Sequence, residues 1–312
     1  MHSNFLYLIV PYFNFNGNSD PEQELKIFLD QKFDDKVKII VVEAVLQQVG
    51  AARLPNLNNI YKHVTVPVRD KLWLQNNLIN YGISQLPNDW EYMSWCDRDI
   101  VFCQRDWVDK TMCNLKEADI LQPFGDCFHL DKNGSVDLEE QRMLYKPGYG
   151  KENCFFITSF CKHLKLFGPE LDYNIFRHTG HVWSAHRRFF EKTGGRLFDK
   201  AFLGAADIVL SSAIKRKESE PYLKLFKEEY KAYFEYFKDN KIKVGYCDGV
   251  ILHRNHGSIK NRAYEYRYMP FIEDPHFNLN LDIEYSENGI LQISKRGQRF
   301  AQYISDYFKS RQ

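Results

Sequence analysis

The stretch Trp90-Glu91-Tyr92-Met93-Ser94-Trp95-Cys96-Asp97-Arg98-Asp99-Ile100-Val101-Phe102 decides the fold. Its first half is an apolar, aromatic run of strand length that stops at two aspartates one residue apart. A strand is expected over 91–96, delivering Asp97 and Asp99 to a turn at its carboxyl end. Paired carboxylates in such a turn offer hard oxygen ligands to a divalent cation, and that cation can hold a diphosphate. Asp-x-Asp is a frequent surface turn when it stands alone, so its weight depends on the neighbouring elements.

Upstream, Leu6 to Val10 reads as a buried strand running into a polar loop, Pro11 to Gly17. Asp20, Pro21 and Gln23 supply a helix start: an N-cap, a first-position proline and a capping-box residue. Val37 to Val42 returns to strand and ends at Glu43. Strand, helix and strand in so short a span imply a parallel pair joined by a right-handed crossover. A helix is expected over 71–81, with Leu72, Gln75, Leu78 and Ile79 at helical spacing and Gly82 as its cap. Beyond the aspartates follow a helix from Trp107 to Lys116 and a strand from Asp119 to Gln122. The fold class is therefore α/β: a Rossmann-like, mostly parallel sheet flanked by helices. Ligands of such sheets lie beyond the carboxyl ends of the strands. Pro11, Tyr12 and Asn14, then Glu43, then Asp97 and Asp99 should converge there. The first two groups would face a nucleoside and the third a metal on its diphosphate.

Composition limits the alternatives. The 312 residues are 44% hydrophobic, enough for a substantial core, and the 24 Phe and 19 Tyr also supply flat faces for bases and sugars. A formal charge of +1 argues against a nucleic-acid partner, and Lys215-Arg216-Lys217 reads as a solvated helix end. The seven cysteines, at 96, 103, 113, 127, 154, 161 and 247, are odd in number and form no C-x-x-C. That pattern suggests neither a disulfide framework nor a zinc knuckle and points to a reducing, cytoplasmic setting. The apolar run from Phe5 to Val10 is too short to span a bilayer and lacks signal-peptide flanks, so no transmembrane segment is expected. Without repeats or an obvious linker, residues 1–215 should form the catalytic core. Residues 216–312 should form a helical and C-terminal extension within the same compact unit.

Four downstream features carry possible chemistry. Segment 125–150 is polar and turn-rich, and its Lys146-Pro147-Gly148-Tyr149-Gly150 places Tyr149 in a glycine-flanked loop. Trp183, ahead of a helix expected over 185–193, offers either a sugar-stacking face or a core residue. Phe202-Leu203-Gly204-Ala205-Ala206-Asp207 sets small residues before an acid, which suits a general base or equally a helix cap. After a strand over 244–252, His253 and His256 sit three apart among Arg254, Lys260, Arg262 and Arg267. This cluster suits imidazole ligation of a metal beside phosphate-neutralising cations, or one packed and one solvated histidine. A strong helix spans Glu218 to Asp239. No Walker A loop or G-x-G-x-x-G occurs, so ATPases and dinucleotide oxidoreductases have no support.

Taken in order, these pieces resemble a GT-A glycosyltransferase of the broad family 2-like group, over about residues 5–270. Ile9-Val10-Pro11-Tyr12-Phe13-Asn14 resembles its opening strand and loop, Glu43 its nucleoside-side acid, and Asp97-Arg98-Asp99 its DxD motif. Gly180 through Gly194-Gly195-Arg196-Leu197-Phe198-Asp199 to Gly204-Ala205-Ala206-Asp207 resembles the acceptor-side segment. Ala205-Ala206 stands where the motif has another acid. His253 or His256-Gly257 resembles the late metal histidine of galactosyl- and N-acetylgalactosaminyl-transferases. The resemblance implies transfer of a sugar from a nucleoside diphosphate donor, most often UDP, to a glycan or glycoconjugate hydroxyl. Mn²⁺ or Mg²⁺ would be held by Asp97, Asp99 and His253 or His256. Asp207 would be the base, and Tyr149, Trp183 and Arg262 would lie on the acceptor side. The rivals are a nucleotidyltransferase, whose glycine-rich basic loop is missing, a metal-dependent hydrolase, and a non-catalytic carbohydrate-binding protein.

Overall fold

The computed structural model describes residues 4–16, 20–47, 54, 57–139, 157–169, 177–217, 220–255, 263 and 266–311. Its strands are β1 (Leu6–Phe13), β2 (Val37–Leu46), β3 (Lys62–Val68), β4 (Tyr92–Cys96), β5 (Ile100–Phe102) and β6 (Ile120–Gln122). There follow β7 (Asp126–His129), β8 (Ile157–Ser159), β9 (Arg177–His178), β10 (Val182–His186), β11 (Val244–Tyr246) and β12 (Val250–His253). A terminal hairpin joins β13 (Ile283–Tyr285) to β14 (Leu291–Ile293).

β1 is buried along almost its whole length, as a central strand covered on both faces should be. Alternate residues serve opposite layers: Tyr7 and Ile9 pack into one apolar cluster, and Leu6, Leu8, Val10 and Tyr12 into the other. β1 pairs in parallel with β2 and with β4, and β2 with β3. The seven-stranded sheet has the order β11-β6-β10-β4-β1-β2-β3, and only β10 runs against its neighbours. The protein is thus mixed α/β, with a mostly parallel sheet flanked by helices. A second sheet has the order β5-β12-β7-β8-β9.

Several elements differ from expectation for identifiable reasons. β3 is an edge strand, half-exposed and carrying Pro67, so it lacks the apolar run of its neighbours. Residues 185 and 186, expected to open the helix over 185–193, instead end strand β10. β10 lies between β4 and β6, and the helix is confined to Arg187–Lys192. The strand expected over 244–252 breaks at Cys247-Asp248-Gly249, with β11 entering the first sheet and β12 the second. Residues beyond 215 therefore complete both sheets. The helix expected over 71–81 runs Gln75–Ile83, and Gly82 lies inside it. A Cβ on Gly82 would stand 2.9 Å from Ile9 Cγ2, so this glycine sets how closely the helix approaches β1.

Asp119 ties the far end of the sheet together. Its side chain is 1% exposed and accepts hydrogen bonds from Arg188 Nε (2.7 Å), Lys192 Nζ (2.8 Å) and the Lys243 backbone N–H (2.8 Å). Burial pushes its carboxyl up, but the bonds from Lys192, Lys243 and Arg188 outweigh it and hold the group below the usual value of 3.8. The resulting stability is present above about pH 4 and is lost as pH falls through the depressed folded value. Asp119→Ala should cost roughly 2–4 kcal/mol in urea denaturation near neutral pH, with the deficit shrinking in acid. An unchanged midpoint would show that the cluster contributes nothing.

Candidate functional site

β4, β1 and β2 are parallel neighbours, so their carboxyl ends share one edge of the sheet. Asp97 is the first residue past β4. Its N–H donates to the His181 carbonyl (2.8 Å), and its Oδ1 accepts from the Gln75 side chain. Asp99 is buried, and its Oδ2 lies 3.7 Å from His253 Nε2. This meeting follows from register: β12 pairs antiparallel with β5, setting His253 opposite Ile100, and the Arg254 N–H donates to the Asp99 carbonyl (2.9 Å). Arg98, between the two acids, turns away. Its Nε lies 3.2 Å from Glu24 Oε2, and its guanidinium stands 5.9 Å from the Tyr12 ring centroid.

Asp207 occupies the first turn of the helix Ala206–Lys215, after Gly204 (φ +99°) and Ala205 (φ +80°). A Cβ on Gly204 would be 3.1 Å from buried Arg267, so the bend needs glycine there. The helix cap is Ala205, without a side-chain capping bond. The Asp207 carboxylate instead accepts the Thr179 hydroxyl at 2.7 Å. Asp207, Gln75, Asn76, Trp95, Gly180 and His181 line a narrow recess beside the acid pair. Burial, then the charges of Asp99 and Asp207, push the Asp97 carboxyl well above its ordinary value, against Arg98 and the backbone bond at His181.

Toward the carboxyl ends of β1 and β2, Tyr12 and Glu43 are 1% exposed and opposite one another in register, and Glu43 Oε2 lies 2.9 Å from His63 Nε2. Burial raises the Tyr12 phenol, with a hydrogen bond from Asn14 and the charge of Arg98 opposing. Pro11, Tyr12 and Glu43 form a buried floor, and the partly exposed Asn14 lies at its rim. Trp183 is a correction. It is 2% exposed, faces Trp95 at 6.4 Å and 14°, and donates its indole N–H to the Thr179 carbonyl (2.8 Å). On a central strand it is almost wholly a core residue, and it also lines the recess beside Asp207. Tyr149, His256 and Arg262 lie outside the described residues.

A histidine cluster behind the acid pair had no counterpart in the sequence reading. His253 Nδ1 is 3.2 Å from His129 Nδ1, and the His181 ring stacks on His178 with centroids 3.4 Å apart. His181 also lies 4.5 Å, centroid to centroid, from His253. The one local signal was Cys127-Phe128-His129, whose i, i+2 spacing sets both donors on one face of a strand. Asp97, Asp99 and His253 are hard-oxygen and imidazole donors of the kind a Mn²⁺- or Mg²⁺-class cation takes, but among the described residues it is Cys127, His129 and His181, and not these three, whose donor atoms all lie within 4.8 Å of one another. Among the described residues, no helix is long and apolar enough to cross a membrane.

No family model and no curated protein matches the chain. Among solved structures, S. aureus TarS 1–349 is similar at 11% identity and TM-score 0.42, covering 86% of this chain and 65% of that one. A longer S. aureus TarS structure gives 12% identity and TM-score 0.40, covering 86% and 39%. TarS 1–349 in complex with UDP-GlcNAc gives 11% and 0.42, covering 81% and 59%. The chain spans less than two thirds of the length of each. Similarity at this level leaves function to be argued from the chain's own residues.

Glu24, 7% exposed beneath Arg98, provides a test of how dry this edge is. Burial pushes its carboxyl from 4.5 up to about 7, with Arg98 opposing and Asp99 adding. The protonated form therefore favours folding: its contribution is complete below about pH 4.5 and is lost as pH rises through about 7. With chelator present, Glu24→Gln should gain about 1–3 kcal/mol over wild type between about pH 5 and about pH 8. Parallel stability profiles would place the Glu24 carboxyl in water.

Proposed function

We propose that this chain is a metal-dependent glycosyltransferase of GT-A type, moving a sugar from a nucleoside diphosphate, UDP by preference, to a hydroxyl of a glycan or glycoconjugate. The observation that supports it is the placement of Asp97, Asp99 and His253 beyond the ends of parallel β4, β1 and β2, with Asp207 facing the same recess. Asp97, Asp99 and His253 would hold the cation, which when bound neutralises charge on a departing diphosphate. Asn14 and the loops after β1 and β2 would receive the nucleoside over the floor of Tyr12 and Glu43.

Asp207 takes the acceptor proton. Thr179 orients its carboxylate through the 2.7 Å bond, and Ala205, in a left-handed conformation, fixes the direction of its helix. Attack from the side opposite the diphosphate would invert the anomeric centre through an oxocarbenium-like state. Cys96, Cys103, Cys113, Cys127, Cys161 and Cys247, all unbridged, suit a reducing, cytoplasmic setting.

Thermal unfolding with UDP or GDP, each with and without Mn²⁺, tests the donor site. One nucleotide should raise the midpoint only when the metal is present, and Asp99→Ala should abolish that shift. Neither nucleotide shifting the wild-type midpoint would rule out a donor site. Asp207→Asn should keep the shift and lower transfer by about 10²–10⁴-fold; undiminished turnover would remove Asp207 as the base.

A further inference from the structure

Cys127 and His129 stand two residues apart on β7, so both side chains rise from the same face of the second sheet. His181 reaches them from the turn before β10, where its backbone is held at φ +75°, a conformation uncommon for residues other than glycine. One donor atom from each of the three lies within 4.8 Å of the others, and all three residues are buried. Ligand atoms around one tetrahedral zinc stand about 3.5 Å apart, given bonds of about 2.3 Å to sulfur and about 2.0 Å to nitrogen. Modest side-chain rotations close the observed spacing onto such an ion.

We propose that Cys127, His129 and His181 form a second metal site, for Zn²⁺ or a similarly borderline-soft ion, separate from the carboxylate pair. The donor chemistry divides the two. A thiolate with two imidazoles selects zinc-class ions, whereas Asp97 and Asp99 offer hard oxygen. Binding moves the Cys127 thiol proton to solvent and forms a metal–sulfur bond, with no change of oxidation state. The site bears on the acid pair at two points: the His181 carbonyl accepts the Asp97 N–H at 2.8 Å, and His129 Nδ1 lies 3.2 Å from Nδ1 of His253, the neighbour of Asp99. An ion that fixes His181 thereby fixes the turn that carries Asp97, so these three are positioning residues. The proposal involves no nucleotide and stands apart from the sugar-transfer proposal.

The test uses the full chain, stripped with chelator and titrated with Co²⁺. The expected result is a thiolate-to-cobalt charge-transfer band in the near ultraviolet with tetrahedral d–d bands, both displaced by Zn²⁺. Cys127→Ser should remove the charge-transfer band and weaken Zn²⁺ binding by about tenfold or more, while Asp99→Asn retains both. X-ray absorption of the zinc-loaded wild type needs no variant and should show a sulfur neighbour together with imidazole nitrogens. A wild type without the sulfur signature, or a band that survives Cys127→Ser, overturns the site. Loss of the band in Asp99→Asn merges it with the carboxylate centre and overturns its separateness. Zinc binding here without any nucleotide shift would fail the transfer proposal alone. A UDP and Mn²⁺ shift without the thiolate band would fail this one alone.

Discussion

Three carboxylates that share one partly buried corner are the constraint on which the rest of this structure depends. Burial, and then the charges of Asp99 and Asp207, push the Asp97 carboxyl well above its ordinary value. Like charges brought together in a partly buried site repel, and a marginally stable fold does not carry that repulsion without compensation. Compensation comes from a proton, a hydrogen-bond donor or a cation. Gln75 and Thr179 supply donors to Asp97 and Asp207. Arg98, the nearest guanidinium in sequence, is spent on Glu24. A cation is the compensation that the proposed transfer would use at this corner.

Holding the corner together takes both sheets. β4 brings Asp97 beside β1, and the pairing of β5 with β12 brings His253 to Asp99. The chain reaches β12 from β11 through Cys247-Asp248-Gly249, where it leaves one sheet for the other. There the Gly249 carbonyl accepts the Gly125 N–H at 2.8 Å, and the Gly125 carbonyl accepts the Ser159 N–H at 2.8 Å. The switch is thus pinned to β7 and β8, the strands around the histidine cluster. A perturbation at 247–249 would reach the carboxylates through backbone bonds alone, without touching a side chain of the site.

The parts legible in the sequence were those whose signal is local. β1, the helix from Asp20, β2 and β4 each announce themselves within ten residues by apolar runs and cap chemistry, and the Asp97/Asp99 pair follows directly from where β4 stops. β3 was invisible because an edge strand needs no continuous apolar stretch. Residues 182–186 read as a helix approach because Ser184, Ala185 and the basic residues after them carry no strand propensity of their own. Their extended form is imposed by pairing with β4 and β6, including the 2.6 Å contact between Ser94 and Ser184 hydroxyls. Trp183 was drawn into the core by the same pairing. Gly82 looked like a cap because the closeness of Ile9 is a tertiary fact. The histidine cluster left only the Cys127-x-His129 spacing to find, since its members come from three separated segments, 127–129, 178–181 and 253.

His253 stands between the carboxylates and the other imidazoles. The two nitrogens of an imidazole point away from one another, so one ring cannot direct both at a single ion. Here Nε2 faces Asp99 at 3.7 Å, while Nδ1 faces His129 at 3.2 Å. The Nε2 side meets a carboxylate, and the Nδ1 side meets an imidazole that shares its strand with the Cys127 thiol. Hardness and direction change at the same residue, and a ring that ligates one ion through Nε2 is oriented by whatever engages Nδ1. The order of the soft side therefore sets the aim of the histidine on the hard side, so the Asp99–His253 approach is a property of both sheets together.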